Sequence, residues 1–163
     1  KYILDAFRKK VAPNKKIVII NAEGYTNEAF MKVQNKHLSK FKIPIYYIFD
    51  GDTISDEKMR RTRKKIEGVL NIKDSNSITL SKNSIEDYII NKYALNKVFN
   101  MDISEIEKIL NSNKNKRNKK DVLKYLFKVN NAKYGPVVAG NIADNMKKKD
   151  IDQEIIDLFS LWS

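Results

Sequence analysis

Two carboxylates one residue apart, Asp50 and Asp52, follow the run IYYIF (residues 45–49) in a chain whose formal net charge is +12. A third acid, Glu23, with Gly24 behind it, follows a run of the same kind, IVIINA (17–22). Short β-branched and aromatic runs without polar alternation are the pattern of strands buried on both faces of a parallel sheet. Ligand sites in open parallel sheets lie at the carboxyl ends of the strands, so the three acids are expected to project from one edge. At about 5 Å between neighbouring strands, uncompensated carboxylates repel strongly. A divalent cation converts that repulsion into binding and can then hold a phosphate. With no Cys and one His, an all-oxygen donor set points to Mg²⁺ or Mn²⁺ rather than zinc. One acid after a strand is an ordinary turn residue; the conjunction of Glu23-Gly24 with Asp50-Gly51-Asp52 is what argues for a site.

Other elements must position these acids. Residues 77–80 (SITL) read as a weaker third strand. Thr26 can cap a helix with Phe30, Val33 and Leu38 on one face, and Ser55 can cap another running to Leu70. Crossover helices between parallel strands make right-handed βαβ units, so strands 17–22 and 45–49 are expected to be adjacent and parallel. From Ser84 the pattern is helical: 84–96, 102–110 with Asp102 and Glu105 as a capping box, 121–129, 136–146, and a last helix from about Asp152. The fold class is therefore α/β, a small parallel sheet with flanking helices (1–82) followed by a helical part (83–163) completing the same domain. The run NSNKNKRNKK (111–120) is the obvious connector, and no internal repeat is present.

The length of 163 residues and the 42% hydrophobic content suit one domain with its own core. The chain opens at Lys1, and its first 16 residues lack the apolar stretch of a signal peptide, which reads as a piece of a longer protein. No apolar run reaches the roughly 20 residues a membrane helix needs, and the absence of Cys excludes disulfides and thiolate metal sites. A cytoplasmic protein with no membrane partner is the expectation. The charge suggests a polyanion, nucleic acid above all. It is uneven: residues 1–82 carry a net of +9 and residues 83–163 a net of +3. The cluster RRTRKK (60–65), with Arg60, Arg61, Arg63 and Lys64, follows the paired acids and could meet phosphates, although a charge run is usually a solvated face.

Four segments in order resemble the Toprim domain of the OLD (overcoming lysogenization defect) nucleases. AEGYTNEAF (22–30) matches the glutamate-glycine segment, IFDGD (48–52) the DxD, SIEDYI (84–89) the Ser-x-Glu before a helix, and KYGPVVAGNIADNM (133–146) the late lysine before a helix. The resemblance spans nearly the whole chain. It implies a Mg²⁺- or Mn²⁺-dependent DNA endonuclease, with links to phage defence, preceded in the full-length protein by an ABC-type ATPase domain. No GxxxxGK[ST] is present in this chain. A homo-oligomer is a further partner to test. By the same resemblance, Glu23 is a metal ligand or general acid/base, and Asp50 and Asp52 hold the metal ions. Glu86, supported by Ser84, is a second-metal ligand, and Lys133 stabilises the phosphorane. Two ions about 4 Å apart would activate a water and stabilise the leaving oxygen, and a lysine would neutralise the growing charge. Asn27 stands four residues after Glu23, where the family usually has another acid, and is assigned a supporting place. Only 27 positions separate Glu23 from Asp50, where the family usually inserts a further strand and helix, so the sheet is expected to be reduced.

Plainer readings stand beside these. Ser84 and Asp87 fit a capping box, with Glu86 favouring the helix dipole. His37 falls at the surface or core edge, and Tyr46 and Tyr47 suit sheet packing. Two other functional classes also fit: a degenerate, non-catalytic nucleic-acid-binding or assembly module, and a haloacid dehalogenase-type phosphatase with Asp50 as nucleophile and Asp52 as acid/base. The phosphatase motif DxDx[TV] has Ile54 in place of its Thr or Val and normally lies on the first strand.

Overall fold

A computed structural model describes residues 1–20, 28–38, 40, 44–113, 119–131 and 133–161. The chain is mixed α/β, mostly helical, with a two-stranded parallel sheet. It divides into two packed units, one of Ile20–Asn83 and one of Lys1–Ile19 with Ser84–Ser163. The sequence division at 82/83 had placed the N-terminal residues with the sheet; Lys1–Ile19 instead belongs with the helices.

In the Ile20–Asn83 unit, strands β1 (Tyr47–Phe49) and β2 (Ser77–Thr79) pair in parallel, with Tyr47 opposite Ser77 and Phe49 opposite Thr79. Between them run the short α3 (Asp52–Ser55) and the long α4 (Glu57–Leu70). The cap of α4 is Asp56 rather than Ser55. Asp56 has extended backbone, which ends α3, and its carboxylate accepts from the Met59 amide at 3.0 Å. Asp and Ser cap about equally well, but a carboxylate also favours the positive end of the helix dipole. At the other end Asn71 adopts left-handed backbone (φ 52°), and the Ile72 amide reaches back to the Glu67 carbonyl at 3.0 Å, an αL stop.

Ile66 and Leu70 are the buried residues of α4. Arg63 fastens it to the sheet: its guanidinium donates to Ser77 Oγ (2.9 Å), Thr79 Oγ1 (2.5 Å) and Glu67 Oε1 (2.7 Å), and lies 4.6 Å from the Phe49 ring centroid. Helix α2 (Glu28–Leu38) joins through Asn35, which donates to the Leu70 carbonyl at 3.2 Å and accepts from Tyr47 Oη at 2.9 Å.

The strand expected over 17–22 is not present in its described part. Residues 17–20 are irregular, and Val18 is 84% exposed; Asn21 and Ala22 lie outside the described residues. An apolar run fixes a strand only when a neighbour accepts its backbone hydrogen bonds, and no strand pairs with this one among the described residues.

The other unit gathers α1 (Tyr2–Val11), a 3₁₀ turn (Ile85–Ile89), α5 (Lys92–Phe99), α6 (Ile103–Ser112), α7 (Lys119–Val129), α8 (Pro136–Asn145) and α9 (Gln153–Ser160). The helix expected over 84–96 is two elements, because Asn91 takes extended backbone and its side chain caps α5 by accepting from the Tyr93 and Ala94 amides. Asp102 caps α6 through the Ser104 amide (2.7 Å) and Asp152 caps α9 through the Glu154 amide (3.0 Å). The core is built from Phe7, Ile89, Leu95, Ile106, Leu123, Leu126, Phe127, Ile142 and Ile155, all fully buried. Phe127 stands edge-on to both Phe99 and Tyr134, with centroids 4.9 and 5.3 Å away, the geometry that the ring quadrupoles favour.

Helix α1 lies along α8. Gly140 permits the approach, since a Cβ there would sit 2.8 Å from Tyr2 Cβ. Two lysines extend the docking beyond apolar contact. Lys10 Nζ donates to the Asp144 and Met146 carbonyls at the end of α8, and Lys15 Nζ to the Phe159 carbonyl at the end of α9. Each places a cation where the helix dipole is negative and free carbonyls need donors. Gly140→Ala is expected to force α1 outward and cost about 1–3 kcal/mol, read as a lower urea midpoint. An unchanged midpoint would contradict this docking.

Candidate metal centre

The loop that carries Asp50 and Asp52 is an extension of the sheet. Beyond the strands the pairing continues: the Leu80 amide donates to the Phe49 carbonyl (2.9 Å), the Gly51 amide to Lys82 O (2.9 Å), and the Asp52 amide to Asn83 O (3.1 Å). Gly51 is required by the closeness of the two backbones. A Cβ at that position would meet Lys82 O at 2.4 Å and Leu80 O at 2.7 Å. Buried Thr53 closes the turn, donating through Oγ1 (2.6 Å) and its amide (3.1 Å) to the Asp50 carbonyl. Asp52 is the first residue of α3, and both aspartates are half-buried. The result is a rigid, hydrogen-bonded turn at the carboxyl end of a parallel strand, with two hard oxygen donors one residue apart. Such donors suit Mg²⁺ or Mn²⁺.

Of the other acids singled out in the sequence, Glu23 lies outside the described residues, as does Asn27. Glu86, Ser84 and Lys133 belong to the helical unit. Among the described residues, no three His, Asp or Glu side chains gather as a metal site would require.

Glu86 is buried on the 3₁₀ turn, where its Oε1 accepts from Tyr134 Oη at 2.5 Å and lies 3.3 Å from Lys120 Nζ. Burial opposes its ionisation, but the Tyr134 hydroxyl and the Lys120 ammonium outweigh it and hold the carboxyl below its ordinary range. Burial, and donation to this carboxylate, raise the Tyr134 phenol far above its usual value. The next residue, Asp87, ties the turn down from both sides: its carboxylate accepts from the Ser84 amide (3.2 Å) and the Lys119 amide (3.3 Å). The capping role expected for Ser84 and Asp87 is thus visible in the Asp87 half. Lys133 is exposed, next to Tyr134.

The basic cluster divides by use. Arg60 and Arg61 both pair with Glu57 on the outer face of α4, Arg63 is only 18% exposed and spent on the sheet, and Lys64 faces solvent. His37 is exposed, in keeping with a surface position. Sequence reasoning did not find Tyr134 or Lys120 as the partners of Glu86. The quoted run KYGP contains Tyr134, but nothing in the spacing ties it to a residue 48 positions earlier.

Compared with protein-family models, with curated proteins and with solved structures, the chain finds no match.

Two outcomes test this geometry. Gly51→Ala is expected to part the two loops and destabilise the sheet unit by about 1–3 kcal/mol, visible as a lower denaturant midpoint. For Glu86 the sign follows from its depressed pKa. A carboxyl whose folded pKa lies below its unfolded one stabilises the fold above the unfolded value, and that stability is lost as pH falls through the folded one. Glu86→Gln is therefore expected to cost about 1–2 kcal/mol at neutral pH. Its urea midpoint should converge on that of the wild type only as the pH falls below the ordinary carboxylate range. A gap that stays constant from neutral to acid pH would contradict the ionised Glu86.

Proposed function

We propose that this chain is the Toprim-type part of an OLD-family ATPase-nuclease, a Mg²⁺- or Mn²⁺-dependent endonuclease acting on DNA phosphodiesters. The observation that carries the reading is Asp50-Gly51-Asp52, pinned at the carboxyl end of β1 by backbone bonds that only a glycine between the aspartates allows. A turn residue needs no such fixation; a ligand pair gains from it, because preorganised donors lose less freedom on binding. In this reading Asp50 and Asp52 hold the cation, with Glu23 as the further acid from sequence. Bound Mg²⁺ or Mn²⁺ would supply Lewis acidity toward a phosphate oxygen and lower the pKa of a water. Lys133, exposed on the helical unit, is assigned to the phosphate by the resemblance alone. Glu86, engaged by Tyr134 and Lys120, is left out of the ligand set.

That engagement also favours the second reading, a non-catalytic module in which Glu86 serves only the fold. A thermal melt with and without about 10 mM Mn²⁺, high enough to fill a weak oxygen-ligand site, separates the two when paired with a plasmid-nicking assay. Tenfold excess over Kd stabilises by about 1.4 kcal/mol, so the wild type should melt a few degrees higher with metal. Asp50→Ala should lose both that shift and the nicking. Nicking retained by Asp50→Ala, with no metal-dependent shift in the wild type, would overturn the nuclease reading. A shift without nicking would favour the non-catalytic module.

A further inference from the structure

Residues 111–133 hold eight Lys/Arg and one acid, a net charge of +7 in a chain whose total is +12. The modest +3 of residues 83–163 conceals this, because the rest of that half is net acidic. The middle of the segment is α7, and its opposite face is fixed: Val122, Leu123, Leu126 and Phe127 are all buried in the core. The helix therefore holds Lys124, Tyr125, Lys128 and Val129 outward on a rigid support. Lys120, Lys124 and Lys128 recur every fourth residue, which stacks them along one side of the helix at steps of about 6 Å. Lys120 is shared with Glu86, and Lys124 lies 3.3 Å from Asp121, with both side chains more than half exposed. An exposed pair of that kind is weak and gives way to a competing anion. Lys133, four residues beyond the helix, is also exposed. On α4, by contrast, Arg60 and Arg61 share one glutamate and Arg63 is bound into the sheet.

We infer that the outward face of α7 is a binding surface for the sugar-phosphate backbone of DNA. A regular row of lysines matches a regular row of phosphates, and release of counterions from the duplex supplies the affinity. Tyr125 can add a hydroxyl donor to a phosphate oxygen. The cores of protein interfaces are depleted of lysine, which argues against an acidic protein as occupant. A membrane surface would need an apolar helix face to insert, and the apolar face of α7 is already in the core.

The inference shares with the proposed function only the choice of DNA, not the metal chemistry, so it is tested in EDTA. The probe is a fluorescein-labelled duplex of mixed sequence, followed by anisotropy between about 50 and 200 mM salt, a range over which phosphate-driven binding changes steeply. Wild-type affinity should fall steeply across it. Lys124→Glu/Lys128→Glu should bind at least about tenfold more weakly, with a salt slope shallower by about two. Arg60→Glu/Arg61→Glu should lose less. Lys124→Gln/Lys128→Gln serves if charge reversal disturbs the melt. An α7 variant with a wild-type melt and wild-type affinity overturns the inference. So does an α4 variant that loses as much as the α7 one, or a wild type that ignores the duplex at low salt. Because EDTA removes the metal, failure here leaves the nicking assay to judge the nuclease reading by itself.

Discussion

The hydrogen bonds that carry the β1–β2 pairing past the last strand residues decide the geometry of the sheet unit. Each strand has only three residues, too few for a stable pair by themselves. The three added bonds from Leu80, Gly51 and Asp52 double the length of the paired region and turn two loops into one frame. The frame also dictates what the loop can contain. With two carbonyls standing where a Cβ would go, the residue between the aspartates has to be glycine, and the aspartates inherit fixed backbone positions. Arg63 then closes the opposite side, binding both β2 hydroxyls and the Phe49 ring.

The same economy governs the positive charge. Lys10 and Lys15 complete the carbonyl ends of α8 and α9, Lys92 pairs with Glu107, and Arg63 is built into the sheet. These cations serve the fold and carry little information about partners. A net charge read as one number mixes them with the exposed lysines of α7, where helix packing on one side sets charge on the other.

Much of the local structure was legible in the residues. Helices α6 to α9 follow from apolar spacing and from Asp102, Pro136 and Asp152 at their starts, and the strand at 77–79 from its β-branched pair. Helix α1 went unread because Lys1 makes no side-chain cap and the Lys-rich flank masks Ile3, Leu4 and Phe7, which share a face. Residues 17–20 went the other way: their composition says strand, but pairing is a tertiary event that composition cannot report. For the candidate site, the Asp50-Gly51-Asp52 pattern was plain and the reason for its glycine was not, since that reason lies in carbonyls 29 and 31 positions later. Glu86 shows the same limit. Its acid was visible, while the Tyr134 and Lys120 that claim it come from distant segments.

The helical unit is discontinuous in sequence, with Ile20–Asn83 set between its first helix and the rest. This has a consequence during synthesis. Residues 20–83 have all left the ribosome before most of the helical unit, and α1 has no surface to dock on until α8 emerges, well over a hundred residues later. At about 5–20 residues per second, the apolar face of Ile3, Leu4 and Phe7 waits on the order of ten seconds in water. For that interval the nascent chain presents a hydrophobic segment beside a cluster of lysines, the kind of surface that chaperones shield.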